Sequence, residues 1–202
     1  VLYSENYGSK SSGRYRYGVQ VGLSNLTRSG DRLSLAAMLS NEDLRNYSVT
    51  YTRPVGVGGT VLGLGVSRMD YELSGAFRRL GAQGHADTVS LFGTSPLLRT
   101  ARDSVSLTYG WDWRKLEDEY KNVGMTLEKH SNAAHIGVRG EMVRPRTRLT
   151  YDLTAYHGTI ASDSAMAERQ MRRARTEGSF TKGVLNLGVR QELGGRFHLN
   201  VR

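Results

Sequence analysis

"RYRYGVQVGL", residues 14–23, sorts its side chains into two sets. Arg14, Arg16, Gly18, Gln20 and Gly22 fall on one parity, and Tyr15, Tyr17, Val19, Val21 and Leu23 on the other. An extended chain sends successive side chains to opposite faces, so this is a β-strand with one polar and one apolar face. What lies against each face decides the fold.

The alternation recurs along the chain. After a partial strand at 1–7, it predicts strands at 14–26, 32–40, 46–55, 60–73, 85–98, 104–114, 134–143, 147–159 and 179–193, with a last one from 197 onward. In "SVSLTYGWDWR", Val105, Leu107, Tyr109, Trp111 and Trp113 oppose Ser106, Thr108, Gly110, Asp112 and Arg114. Further on, Ile136, Val138 and Met142 oppose His135, Arg139 and Glu141, while Leu149, Tyr151 and Leu153 oppose Arg148, Thr150 and Asp152. Leu185, Leu187 and Val189 oppose Asn186, Gly188 and Arg190, and Phe197, Leu199 and Val201 oppose His198, Asn200 and Arg202. The fold class is therefore all-β, an antiparallel up-and-down meander of about eleven strands. One stretch, "SDSAMAERQMRRARTEG" (162–178), starts on Ser/Asp and ends Arg-rich as helices do; a solvated loop with a partial helical turn is expected there.

Composition narrows the function classes. The 202 residues include 24 glycines and 3 prolines but no cysteine, which excludes disulfides and thiolate metal sites. Mean hydropathy is −0.47, and no apolar run approaches the ~18 residues of a membrane helix. A β-barrel escapes that test, because its strands dilute any hydropathy average. The chain opens "VLYSENYG" without an initiator Met, a charged n-region or an apolar h-region, and stops at "RFHLNVR"; it is expected to be cut from a longer protein. The net charge of +9 raises a polyanion partner. The arginines, however, scatter through strands and turns with no basic helix or RNP-like signature, so no nucleic-acid partner is expected. His85, His130, His135, His157 and His198 form no H-x-H or H-E-x-x-H. G-x-S-x-G, P-loop and G-x-G-x-x-G patterns are missing too, so no enzyme activity, metal or cofactor is expected. His130 with Glu128 and Asp118 is the one group that offers a rim site, and an ordinary polar loop is the expectation for it.

Turn lengths separate a membrane barrel from a soluble one. Connections near 27–31, 56–59, 99–103, 144–146 and 194–195 are tight, with Pro54, Pro96 and Pro145 beside them. Those at 74–84, 115–130 and 160–178 are long, and those near 8–13 and 41–45 modest. One rim of tight turns and one of longer loops is the outer-membrane pattern. Strands of 10–14 residues suit a tilted crossing, and Tyr and Trp recur on the apolar parity as interfacial girdles require. A membrane barrel then puts Tyr15, Tyr17, Val19, Val21, Leu23, Leu107, Tyr109, Trp111 and Trp113 against lipid. It puts Arg14, Arg16, Gln20, Asp112, Arg114, Arg139, Glu141, Arg148, Asp152, Arg190 and Arg202 into the lumen. Those charges are expected to pair across the lumen and hold the wall in shape. Gly18, Gly22, Gly110, Gly137 and Gly188 are expected to leave the wall smooth. On pattern alone a solute channel, or a barrel enzyme, remains open beside a protein exporter.

"ENYGSKSSGRYRYG" followed by "LSNLTRSGDRLSL" carries a resemblance. It resembles the start of the barrel domain of the two-partner secretion transporters, the TpsB or ShlB/FhaC/HecB hemolysin secretion/activation family, where "DNYGS…TGxYRxG" leads into "LNNPLGxGDxLSL". "YSVTYTRPVGVGGTVLGLGVSRMDYELSGAF" is similar to the family's "YSLSYSLPVG…LGLSYSRSDYELGGEF", and "LGAQGHADTVSLFGTSPLLRTARDSVSLTYGWDWRKLED" follows similarly. The resemblance implies a 16-stranded BamA-like barrel in the Gram-negative outer membrane, of which 1–202 is the first eleven strands. It implies an N-terminal plug helix, two POTRA domains, a sixth loop with a "VRGY/F" motif and the last strands, all outside this chain; "VRGE" at 138–141 is not that motif. It further implies export of a large TpsA-type exoprotein without ATP, amid outer-membrane lipid and lipopolysaccharide.

Overall fold

The computed structural model describes residues 1–8, 13–72, 81–162, 178–194 and 197–201. They form β1 (Leu2–Glu5), β2 (Arg16–Ser24), β3 (Arg32–Ser40), β4 (Arg45–Val55), β5 (Thr60–Glu72), β6 (Ala82–Arg99), β7 (Asp103–Tyr120), β8 (Met125–Arg144), β9 (Thr147–Ser162), β10 (Gly178–Gly194) and β11 (Phe197–Val201). All lie in one eleven-stranded sheet in sequence order. Each strand pairs antiparallel with the next, as the meander requires.

The register keeps the two parities apart across the whole sheet. Val19 pairs with Ala37, which pairs with Tyr47; Leu64 pairs with Tyr51 and Leu91, and Leu91 with Trp111. On the other parity Gly22, Ser34, Thr50, Gly65, Ser90 and Asp112 follow one another from β2 to β7. Exposure shows which face is enclosed. Along β5, Leu62, Leu64 and Val66 are 44 %, 45 % and 49 % exposed, whereas Val61, Gly63, Gly65 and Ser67 between them are half-buried. The sheet therefore curls around its polar face and turns its apolar face outward. A water-soluble barrel or sandwich does the reverse. Buried apolar side chains among the described residues are few, Leu44, Ala82, Ala86 and Leu127, so no second layer covers the apolar face.

Two expectations about connections need correction. Residues 115–130 are no loop: β7 runs to Tyr120, a single 3-10 turn spans Lys121–Val123, and β8 starts at Met125. The apolar period stops at Trp113, but side-chain alternation continues in charges. Lys115 meets Glu128 at 3.2 Å and Lys129 meets Asp118 at 3.9 Å across the strands. Outside a bilayer a strand needs no apolar face, so hydropathy does not mark where it ends. For the same reason β8 and β9 extend beyond 134–143 and 147–159. Of the helix-capable stretch, Ser162 ends β9 and Gly178 begins β10; 163–177 lie outside the described residues.

The turn "NLTRSGD" explains why its residues stand where they do. Asn25, Arg28 and Gly30 take positive φ of 62°, 59° and 76°, a conformation Asn and Gly tolerate best. Asn25 Oδ1 accepts the Gly30 N–H at 3.0 Å. Asp31, 1 % exposed, accepts the Thr27 N–H at 3.0 Å, the Thr27 hydroxyl at 2.9 Å and the Tyr51 hydroxyl at 3.2 Å. Desolvation under its own turn pushes the carboxyl pKa up, but the donors from Thr27, its own N–H and Tyr51 outweigh it and hold the group below its ordinary value. A depressed pKa contributes stability that is present above the ordinary carboxylate range and is lost as pH falls through the folded-state value. Replacing Asp31 with Asn is therefore expected to lower the urea midpoint at neutral pH and to flatten its decline in acid. An undiminished acid decline in the variant would remove Asp31 from that role.

Candidate functional site

The enclosed polar face is the candidate site, and β7 to β10 supply most of its charge. Arg139 on β8 donates to Asp152 on β9 through Nε at 2.8 Å, with its terminal nitrogen at 2.7 Å. The Thr154 hydroxyl also donates to Asp152, at 2.9 Å. Arg148 Nε lies 2.8 Å from Glu141. Arg190 stands opposite Arg148 in the β9–β10 register. On β7, Asp112 accepts the Ser90 hydroxyl at 2.5 Å and lies 3.6 Å from His135 Nδ1, and Arg114 donates to Thr88 at 3.3 Å. Arg16 on β2 lies 3.7 Å from Glu5, and Gln20 shares its face.

Among the described residues these pairs join neighbouring strands within the wall. Half-exposed pairs of this kind contribute ~0–1 kcal/mol each. Their main effect is on geometry, since a paired guanidinium lies along the wall instead of reaching into the space it borders. Arg14 and Tyr15 precede β2, and Arg202 lies outside the described residues.

Two of these glycines, Gly18 and Gly110, do something other than smooth the wall. A Cβ at Gly18 would fall 2.1 Å from the Tyr3 ring, and one at Gly110 would fall 2.5 Å from the His135 ring. Gly63 sits under Phe92, and Gly84 under Tyr71, in the same way. Each glycine is a seat over which a cross-strand ring folds, and the ring shields the bare backbone. At the far end His135 packs against Tyr156 with centroids 5.4 Å apart, and Lys182 Nζ sits 4.7 Å from the Tyr156 ring centre. Neighbouring-strand contacts of this kind are invisible to a period-2 reading, which sees glycine only as a missing side chain.

The outward face carries Tyr17, Val19, Val21 and Leu23 against Leu39, Ala37, Leu35 and Leu33. Leu107, Tyr109, Trp111 and Trp113 stand against Val138, Ile136, Ala134 and Asn132. On β7 the apolar band runs from Val105 to Trp113, matching the ~9–11 residues of a tilted membrane strand. Ion pairs close it at both ends. Asp103–Arg144 (2.7 Å) marks one rim; Arg68–Asp70 (3.0 Å), Arg68–Asp87 (3.4 Å) and Lys115–Glu128 (3.2 Å) mark the other. Beyond the band the Tyr71 hydroxyl donates to Asp118, and burial followed by that carboxylate pushes its pKa well above the ordinary phenol value. The His130 constellation does not assemble: Glu128 and His130 share the outward parity, while Asp118 faces inward beside Tyr71 and Lys129.

The model of the "Haemolysin secretion/activation protein ShlB/FhaC/HecB" family matches residues 1–200. The heme/hemopexin transporter protein HuxB of Haemophilus influenzae is 29 % identical over 163 residues, covering 80 % of this chain and 29 % of its own length. Among solved structures, CdiB from Escherichia coli superposes with a TM-score of 0.79 at 18 % identity, covering 96 % of this chain and 37 % of that one. CdiB from Acinetobacter baumannii gives 0.61 at 17 % identity, over 91 % and 32 %. The chain thus spans less than a third of the curated relative. It belongs to the ShlB/FhaC/HecB haemolysin secretion/activation family, whose members are outer-membrane β-barrel proteins of Gram-negative bacteria, and that membrane is where this sheet resides.

Proposed function

We propose that this sheet is part of the wall of a 16-stranded barrel through which the whole transporter exports a large partner exoprotein by two-partner secretion. Tyr15, Tyr17, Val19, Val21, Leu23, Leu107, Tyr109, Trp111 and Trp113 face lipid in this reading. Arg14, Arg16, Gln20, Asp112, Arg114, Arg139, Glu141, Arg148, Asp152, Arg190 and Arg202 face the lumen. The observation that carries it is the inverted amphipathicity: the sheet curls around its polar face and leaves its apolar face outermost. Charge on the lipid side costs ~2–4 kcal/mol per Arg at the bilayer midplane, which sets the side each parity takes. Family membership favours polypeptide export over solute conduction. The protein is a conduit with no catalytic step and no nucleic-acid partner; its surroundings are membrane lipid and lipopolysaccharide, and the plug, POTRA domains, sixth-loop motif and remaining strands lie elsewhere in the full protein.

Spin labels test the register in the full-length protein in membranes. Labels at Tyr17, Val19, Leu107 and Trp111 are expected to report lipid, and those at Arg16, Gln20 and Asp112 water. The opposite pattern would refute the barrel reading. Export is tested separately, as loss of the secreted exoprotein when the transporter gene is deleted and its return on complementation.

A further inference from the structure

The inner face has two chemically different halves. On β3 to β6 it presents Ser34, Ser48, Thr50, Gly65, Ser67 and Ser90, which the register sets side by side. The inward positions of β4 and β5 hold no charged residue; on the flanking strands the charge sits near the rim, at Arg32 where β3 begins and at Arg99 opposite Ser104, past the bulge of β6. From β7 onward charge takes over, with Asp112, Arg114, Arg139 and Asp152 on the same face. A recess of about 540 Å³ lies against the neutral half, bordered chiefly by Ser48, Thr50, Ser67, Thr88 and Ser90, with Asp112, His135 and Arg139 at its edge toward the charged strands. A Cβ at Gly65 would meet nothing nearer than 3.7 Å, so this part of the wall is not filled by a folded-over ring. The opposite half borders a recess of its own, of about 610 Å³, and differs in chemistry: the Arg139–Asp152 and Glu141–Arg148 carboxylates and guanidinium groups stand there beside Ser106, Thr150 and Asn186.

An unfolded polypeptide in transit carries a backbone donor and acceptor at almost every residue. The wall it slides along has to exchange hydrogen bonds without keeping any of them. Serine and threonine hydroxyls rotate, donate and accept, so they can hand a passing amide from one to the next. Hydrogen bonds to charged groups are roughly twice as strong as neutral ones and would hold acidic or basic segments back. From this asymmetry we infer that the exported chain travels off-centre, along the hydroxyl and glycine wall of β4 to β6, and that the wall is matched to uncharged segments rich in hydroxyl, amide and glycine residues. The inference rests on the export reading above and adds to it the path and the chemical class of the cargo.

The absence of cysteine from these 202 residues lets single thiols report the path. In the full-length transporter, cysteine replaces Ser48, Ser67 or Ser90 on one wall, or Ser106, Thr150 or Asn186 on the other. The probe is the partner exoprotein carrying an inserted neutral Gly/Ser/Thr/Asn segment with one cysteine, stalled by a folded, disulfide-closed domain at its C-terminus. Disulfide yield is expected to be at least about tenfold higher on the first wall, because proximity raises effective thiol concentration steeply. Equal yields, or a preference for Ser106, Thr150 and Asn186, would overturn the off-centre path while leaving export intact. If the unsubstituted transporter reaches the outer membrane and exports no exoprotein, the export reading fails and takes the path with it. In a second comparison, a probe segment with glutamates in place of its asparagines is expected to leave the cell about tenfold more slowly, the scale of one charged hydrogen bond's extra strength. Equal export rates for the two probes would overturn the cargo class.

Discussion

An arginine in place of Leu64 is expected to destabilise the folded barrel by ~2–4 kcal/mol, the cost of a guanidinium on the lipid face near the bilayer midplane. Leu64 is 45 % exposed in the isolated sheet and stands between Tyr51 and Leu91 on the outward face. The matching substitution on the same strand, Ser67→Arg, points to the enclosed face and is expected to cost no more than ~0.5 kcal/mol. Arg68 marks the depth scale. It shares Leu64's face but sits at the edge of the apolar band, where Asp70 and Asp87 receive it at 3.0 and 3.4 Å. Urea unfolding of the full-length protein in lipid vesicles measures both variants. A larger penalty for Ser67→Arg than for Leu64→Arg would mean that the sheet is oriented the other way round.

Gly158 and Gly183 give the second large effect, because they differ only in what surrounds them. A Cβ at Gly158 would fall 2.4 Å from the Asn132 carbonyl oxygen and 2.9 Å from Ala133 Cα. Those are backbone atoms of β8, which cannot swing aside as a side-chain tip can. Gly158→Val is therefore expected to cost ~1–3 kcal/mol, the usual range for forcing extra carbons into a packed site. Gly183, on β10 and opposite Ala155, has nothing within 4 Å of a built Cβ. There Gly→Val relieves the conformational freedom of glycine, and a gain of ~0.5–1 kcal/mol is expected. The same urea titration reads both. Equal losses at the two sites would show that strand entropy, and not the approach of β8, sets the cost.

How much of this was legible beforehand varies from residue to residue. Tyr17, Val19, Leu107 and Trp111 declare a shared face by spacing alone, since a strand's period of two is a property of its backbone. The "SGD" of the first tight turn likewise reads as a reversal, although only the folded turn shows Asp31 enclosed by Thr27 and Tyr51. Residues 115–130 were hidden because their alternation is written in charge; Lys115 and Glu128 become partners only when β7 and β8 lie side by side. The ring seats at Gly18 and Gly110 were hidden for a related reason: the residues that fill them, Tyr3 and His135, belong to other strands. His130, Glu128 and Asp118 fall within a short span of sequence, yet the hairpin sends Asp118 to the opposite face.

The sequence by itself determined the strands within the apolar band, their order and the two faces, because alternation and turn chemistry are local. Turn and strand lengths gave an expectation of which face the sheet curls around, and only the tertiary structure displays it. Curvature is a collective property of eleven paired strands, and identical alternation serves a soluble barrel or a membrane one. The division of the inner face into a hydroxyl wall and a charged wall has the same origin: it exists only once β4 to β6 and β7 to β10 are set in register, with the arginines of the second half bound to carboxylates one strand away.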